Sequence, residues 1–312
     1  MKKTILLLAI FTLSLGIYAQ NMNEIKPPVA KKEPKVLKIH GYEITDNYAW
    51  LRSSKDKAGK VRPEVEEYLV AENTYTESVM GGTKDFQDNL YKEMLGKIKQ
   101  TDLSLPTKIG NYWYYTKTEE GKQYPIFCRA TKEDKSDEQV TLDQNEMAKG
   151  FKYFAIGAYN ISNDGNILAF STDTTGYRQY TLQFKDLRTG QILTDKIERV
   201  TSLAWASDNK TLMMGTEDEV SKRSDKIWRY ELGSNKPELI FEEKDVLFNT
   251  GVGRTRDKKY FFIGSNAATM SEARILSTDT PKGEWKLILP REKDHEYNAD
   301  IYGDTLYIVT NK

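Results

Sequence analysis

The sequence predicts a mainly β fold: an open, partial β-propeller of about four to five blades with a small N-terminal α-helical extension. Three observations lead there. Side chains alternate with the two-residue period of strands through most of residues 107–312. A turn followed by an apolar strand recurs at Asn111, Asp164, Asp208, Asp257 and Asp304, about 44 to 53 residues apart, the repeat length of a four-stranded blade. Before residue 100, apolar residues instead recur at helical spacing.

Residues 1–19 read as a signal peptide, with Lys2 and Lys3 ahead of an apolar run too short for a stable membrane span. The expected product is exported, periplasmic or secreted, with no membrane span after cleavage. Cys128 is the single cysteine, so no disulfide can form within the chain; in a strand-like stretch it reads as a small buried hydrophobe. Lys plus Arg and Asp plus Glu both total 46. That balance offers no bulk field for nucleic acid or an anionic membrane.

Residues 20–105 read as the extension. Its start is a polar, proline-containing lead-in through Pro34. Pro63 then opens "PEVEEYLVAENTYTESVM", where Val65, Tyr68, Leu69, Glu72, Thr76 and Val79 form a largely apolar stripe behind an acidic first turn. Gly81 and Gly82 should break this helix, and a second stripe of Phe86, Leu90, Met94 and Ile98 should fold back on it as a helical hairpin.

Residues 106–312 read as the propeller. "GNYWYYTKTEEGKQYPIFCRA" makes its first hairpin, with Tyr112, Tyr114 and Phe127 expected in the core and Glu119, Glu120 and Arg129 at a turn and a strand end. "FAIGAYNIS", "VTSLAWAS" and "FNTGVGRT" are expected as the innermost strands of their blades. Roughly 200 residues at roughly 47 per unit give a little over four blades, so the sequence looks truncated inside a fifth.

No G-x-S-x-G nucleophile turn occurs; Gly264-Ser265-Asn266 and Gly233-Ser234-Asn235 read as strand and turn. His40 and His295 are the two histidines, and His295, between Asp294 and Glu296, is expected in a loop or rim, without a triad. Neither has partners at metal-ligand spacing, and "TGVGRT" continues into a strand pattern instead of opening a helix, so neither a metal nor a cofactor is expected.

Several stretches then resemble one family: "DNYAWLR", "KIKQTDLSLPTKIGNYWYYTKTEEGKQYPIFCR", "FSTDTTGYRQYTLQFKDLRTG", "EEKDVLFNTGVGRT" and "LPREKDHEYNADIYGDTLYIVTN". In order along the chain, they resemble the prolyl oligopeptidase family of serine peptidases, and within it the oligopeptidase B, or protease II, branch. The resemblance implies a helical segment and a seven-bladed propeller followed by an α/β-hydrolase domain, which would be absent here. It further implies cleavage of short basic peptides after Arg or Lys, with the propeller restricting access. On that footing Glu119, Glu120 and Arg129, and the Asp173/Arg178 pair of "DTTGYRQY", are candidate contacts to the catalytic domain that gate substrate entry. A non-enzymatic propeller binding module and a family member of different specificity are the alternatives.

Overall fold

The structure is a computed structural model that describes residues 26–52 and 60–312, so the signal segment lies outside the described residues. It divides into two compact units between Lys99 and Gln100.

The first unit opens with a feature absent from the sequence reading. Strands β1 (Lys35–Ile39) and β2 (Tyr42–Asp46) form a two-stranded hairpin, its register closing at Ile39 opposite Tyr42. The two-residue loop needs left-handed backbone at both positions, and His40 (φ 50°) and Gly41 (φ 83°) supply it. A single turn, α1 (Ala49–Arg52), then buries Trp50. The Trp50 indole donates to the Lys31 carbonyl (3.0 Å) and meets Tyr68 edge-on (5.9 Å), which pins the proline-containing lead-in.

Helix α2 (Pro63–Met80) starts at the expected proline and buries Val65 alone. The helix ends at Gly81 as expected, but without a loop. Gly81 stays right-handed helical (φ −55°, ψ −35°), and the 3-10 turn Gly81–Thr83 leads into α3 (Lys84–Gly96) with no intervening loop. Consequently the Phe86, Leu90, Met94 and Ile98 stripe is exposed. Neither glycine takes the left-handed conformation that commonly turns the chain away from a helix end.

In the second unit each sheet is an antiparallel meander whose strands follow chain order. In the first, β3 (Asp102–Leu103) and β4 (Thr107–Ile109) share one edge position against β5 (Tyr112–Thr118), followed by β6 (Ile126–Ala130) and β7 (Gln139–Asp143). The inner edge is split at residues 104–106, where Pro106 has no N–H to give and the Ser104 hydroxyl accepts from the Thr116 N–H (2.9 Å) instead. A short helix, α4 (Gln144–Met147), follows, capped by Asp143, whose side chain accepts from the Asn145 and Glu146 N–H groups.

Three four-stranded sheets come next: β8 (Ala155–Ile161), β9 (Ile167–Asp173), β10 (Thr181–Asp186) and β11 (Ile192–Ile197); β12 (Val200–Trp205), β13 (Thr211–Glu217), β14 (Ser224–Glu231) and β15 (Glu238–Glu242); β16 (Asn249–Arg254), β17 (Tyr260–Asn266), β18 (Ser271–Ser277) and β19 (Lys286–Leu289). A hairpin, β20 (Tyr297–Tyr302) and β21 (Thr305–Thr310), ends the chain, with β21 exposed throughout.

Both faces of the middle sheets are covered, which explains runs such as "LMMG" that lack polar alternation. Leu212, Met214, Trp205 and Tyr230 pack toward the second sheet, around Phe184 and Leu182; Met213, Ala204 and Ile227 pack the other way, against Phe261, Ile263 and Val252 of the fourth. The strands expected innermost are the ones that link sheets. Trp205 Nε1 donates to the Asn160 carbonyl (3.1 Å), and the Val252 N–H donates to Ser202 Oγ (3.0 Å).

Two expectations shift, one about the first sheet and one about His295. Its wholly buried face carries Tyr115, Ile126, Cys128 and Ala130, whereas Tyr112, Tyr114 and Phe127 are half-buried toward the second sheet, with Phe127 stacked on Tyr159 (4.7 Å). Burial pushes the Cys128 thiol up to about 11, consistent with an inert core role. His295, expected in a loop or rim, lies in the loop before the last hairpin but is buried there (5% exposed) and shares a hydrogen bond between Nε2 and Thr310 Oγ1 (3.0 Å). It closes the last hairpin against residues 292–296, and its carbonyl accepts from the Ser271 N–H (3.1 Å).

Candidate functional site

The repeat that marks the fold also shapes a cleft at one end of its inner hairpins. Each inner hairpin turns through one left-handed residue: Gly110, Gly165, Asn209, Lys258 and Gly303. In the second to fourth sheets the preceding aspartate holds that turn. Asp164 accepts from the Ser162 hydroxyl (2.6 Å) and the Asn166 N–H (3.1 Å), Asp208 from the Lys210 (2.9 Å) and Thr211 (2.8 Å) N–H groups, and Asp257 from the Lys259 N–H (3.0 Å). Burial alone would raise the Asp164 and Asp208 carboxyls, yet these donors outweigh it and hold both below the usual range; at Asp257 the Thr255 hydroxyl does most of the lowering.

Neighbouring turns are tied together. Asn163 Nδ2 donates to the Ala206 carbonyl (2.9 Å), the Asp164 N–H to Asn209 Oδ1 (3.1 Å), and Arg254 Nη1 to Asn163 Oδ1 (2.7 Å). Beside this run lies a cleft of about 440 Å³, lined by the 109–112 turn, Tyr114, residues 159–165 and Lys258. That volume suits a small ligand. Tyr159 and Tyr114 are raised above the usual tyrosine range chiefly by burial, so both stay neutral. The Tyr159 hydroxyl pairs with Thr141.

Of the residues singled out by sequence, Arg129 is brought to this cleft and the others are not. Arg129 is no solvated strand end: 3% exposed, it donates from Nε to Gln139 Oε1 (2.7 Å) and from Nη1 to the Gly165 carbonyl, while its guanidinium lies over the Tyr112 ring (4.1 Å). It clamps the first sheet to the turn of the second. Glu119 pairs with Lys122 (2.8 Å) and the Glu120 N–H donates to Thr101 Oγ1 (3.1 Å), at the far end of β5 from the cleft. Asp173 and Arg178 do meet, but through main chain. The wholly buried Asp173 carboxylate accepts from the Arg178 N–H (2.8 Å) and from the Thr175 N–H and hydroxyl, organising the 174–178 loop while the Arg178 side chain is exposed. Strand β9 puts this loop about 20 Å from the Asp164 turn.

Sequence reasoning missed Tyr159, Asn160, Asn163, Arg254 and Lys258. The signal available was the repeat itself, since aligned turns are neighbours in a meander array. Of the two serines flanked by glycine in the sequence reading, Ser265 is buried in β17 against Thr250 Oγ1 (3.3 Å), and Ser234 sits in a turn. Among the described residues no acidic, cysteine and histidine side chains cluster as metal ligands, and no helix is long and apolar enough to cross a membrane.

The family described as prolyl oligopeptidase, N-terminal β-propeller domain, matches residues 27–312. The chain belongs to the prolyl oligopeptidase family. Within it, this propeller is 37% identical to a dipeptidyl aminopeptidase BI of Pseudoxanthomonas mexicana, over 100% of this chain and 45% of that protein. It is 30% identical to a protease 2 of Moraxella lacunata, over 92% of this chain and 42% of the relative. The structure of oligopeptidase B from Leishmania major superposes with a TM-score of 0.83 at 28% identity, over 93% of this chain and 43% of that one. The chain thus spans less than half the length of the relatives it matches.

Proposed function

We propose that this chain is the N-terminal propeller portion of an exported serine oligopeptidase that cleaves short peptides after Arg or Lys, the propeller restricting which substrates enter. The family match through residues 27–312 carries the reading, supported by the superposition on an oligopeptidase B. The test is a longer protein that continues past Lys312 into a hydrolase domain, assayed on N-blocked Arg and Lys amides; turnover stopped by a serine-directed inhibitor is expected, and inertness toward these substrates overturns it. The 312-residue chain by itself is expected to be inactive, because it presents neither a nucleophile turn nor a base beside one.

The relative called a dipeptidyl aminopeptidase favours a second reading, release of dipeptides from free N-termini. Unblocked dipeptidyl amides decide between them: faster turnover of these than of N-blocked Arg amides selects the second. For gating, Glu119 is the residue proposed to contact the catalytic domain. Glu119→Gln in the longer protein should alter the salt dependence of apparent substrate affinity, since a rim charge tunes association more than stability; identical kinetics across a salt series returns Glu119 to its Lys122 pair.

A further inference from the structure

We propose that the cleft between the first and second sheets binds a neutral saccharide, held by Asn111, Asn160, Asp164 and Lys258 against the rings of Tyr112 and Tyr114. The site is independent of peptide hydrolysis and uses no catalytic group.

The charges in the cleft disfavour a ligand of either sign. Asp164 and Lys258 both line it, one from the inner hairpin turn of the second sheet and the other from that of the fourth. Against burial, the Ser162 and Asn166 donors hold the Asp164 carboxyl below its usual range, so it is ionised at neutral pH. Among the described residues the Lys258 ammonium has no ion-pair partner, and burial is the main cause that lowers it from its usual value. An anion therefore meets Asp164 and a cation meets Lys258. A ligand cation also gains little from the tyrosines, because the Arg129 guanidinium already lies over the Tyr112 ring (4.1 Å). A zwitterion fares no better: its ammonium brings three N–H donors, and the Asp164 carboxylate is largely taken by the Ser162 hydroxyl, the Asn166 N–H and Asn166 Nδ2 (2.8 Å).

What the cleft offers instead is hydrogen bonding of mixed direction. Lys258 only donates, and Asp164 only accepts, through the lone pair its Oδ2 has left. The side-chain amides of Asn111 and Asn160 line the cleft and take no partner among the described residues, so each presents a donor and an acceptor. A hydroxyl donates and accepts at one atom, so a ring carrying several of them meets all four groups in whatever order they come. A peptide unit has its donor and acceptor fixed on opposite edges and cannot. Tyr112 and Tyr114, with ring centroids 6.1 Å apart, and Ile109 and Ile161 beside them supply apolar surface for the C–H faces of a sugar. The volume of about 440 Å³ lies in the range of small-ligand sites.

Saturation-transfer NMR on the 312-residue chain tests this, with cellobiose, maltose and N,N′-diacetylchitobiose as probes. At least one should bind with a Kd of about 1 mM or tighter, and its affinity should stay level from low to high salt, as for an uncharged ligand. Asn160→Ala and Lys258→Gln should each weaken it about fivefold, the worth of one hydrogen bond, at an unchanged melting temperature. Lys259→Gln, on the exposed neighbour, should leave it unchanged. Silence with all three probes, or binding that both cleft variants leave intact, overturns the proposal. Displacement of the bound disaccharide at equal concentration by N-acetyl-Ala-Ala-Ala amide or by zwitterionic Ala-Ala-Ala overturns the saccharide assignment. Because no turnover is read, failure here is distinct from failure of the longer protein to hydrolyse peptides.

Discussion

Arg129 shows how far a side chain's role can depart from what its neighbours in sequence suggest. Next to a polar turn it looks solvated, yet it is buried between two sheets with every bond directed inward. Arg129→Ala should therefore destabilise the fold by about 2 kcal/mol or more, because the Gly165 carbonyl and Gln139 amide lose their donor out of water's reach. Arg129→Lys should recover little, since an ammonium cannot fork between two acceptors and stack on Tyr112 together. Urea unfolding of both variants checks it; a loss within about 0.5 kcal/mol would mean the clamp is decorative. The turn aspartates make a pH prediction. Asp164, Asp208 and Asp257 are held below their unfolded-chain values, so they stabilise the fold above the unfolded pKa. That contribution disappears as the pH falls through the folded one. Unfolding midpoints should be level from neutral pH to about 5 and drop below about 4, with a shallower drop in Asp208→Asn. An identical acid profile in that variant contradicts the assignment.

At the scale of elements, two glycines read alike in sequence and behave oppositely. Gly81 is right-handed with only Glu77 Oε1 near a would-be Cβ (3.8 Å), so Gly81→Ala should stabilise the α2–α3 run by about 0.5–1 kcal/mol. Gly165 has φ +77° and the Tyr112 ring 2.8 Å from that position, so Gly165→Ala should destabilise by about 1 kcal/mol or more. Circular dichroism melts of both variants separate the cases, and a destabilised Gly81→Ala contradicts the right-handed assignment of Gly81. This contrast marks the limit of legibility. Strand order, the repeat and the inner strands were readable because alternation and turn residues are local signals. The β1–β2 hairpin, beyond the polar lead-in that ends at Pro34, is legible too, in the alternation about His40-Gly41. The phase of the first sheet was not readable, since "YWYY" is aromatic on both faces and only packing chooses which is sealed. The cleft was also hidden, because Tyr159, Asn163, Arg254 and Lys258 come together only after three sheets have stacked.

For the molecule as a whole, the exposed last strand decides behaviour in solution. Leu306, Tyr307, Ile308 and Val309 are all accessible on β21, whose outer edge pairs with no strand among the described residues. Such an edge is a template for a second chain, so the 312-residue chain should self-associate with rising concentration. Val309→Lys should suppress this without changing the melt; light scattering that finds a monomer for both proteins contradicts it. The two rims of the sheets also differ in a way that bears on divergence. On the cleft rim the inner hairpins close through two to five residues, while on the opposite rim residues 119–125, 174–180 and 218–223 make connections of six or seven. Insertions and deletions can accumulate on that looser rim with little strain. On the cleft rim one extra residue would displace a left-handed turn and the bonds between Asn163, Ala206 and Arg254 with it. Lineages descended from this scaffold should therefore vary in length at one rim and in side-chain identity at the other, changing what the cleft holds without altering its outline.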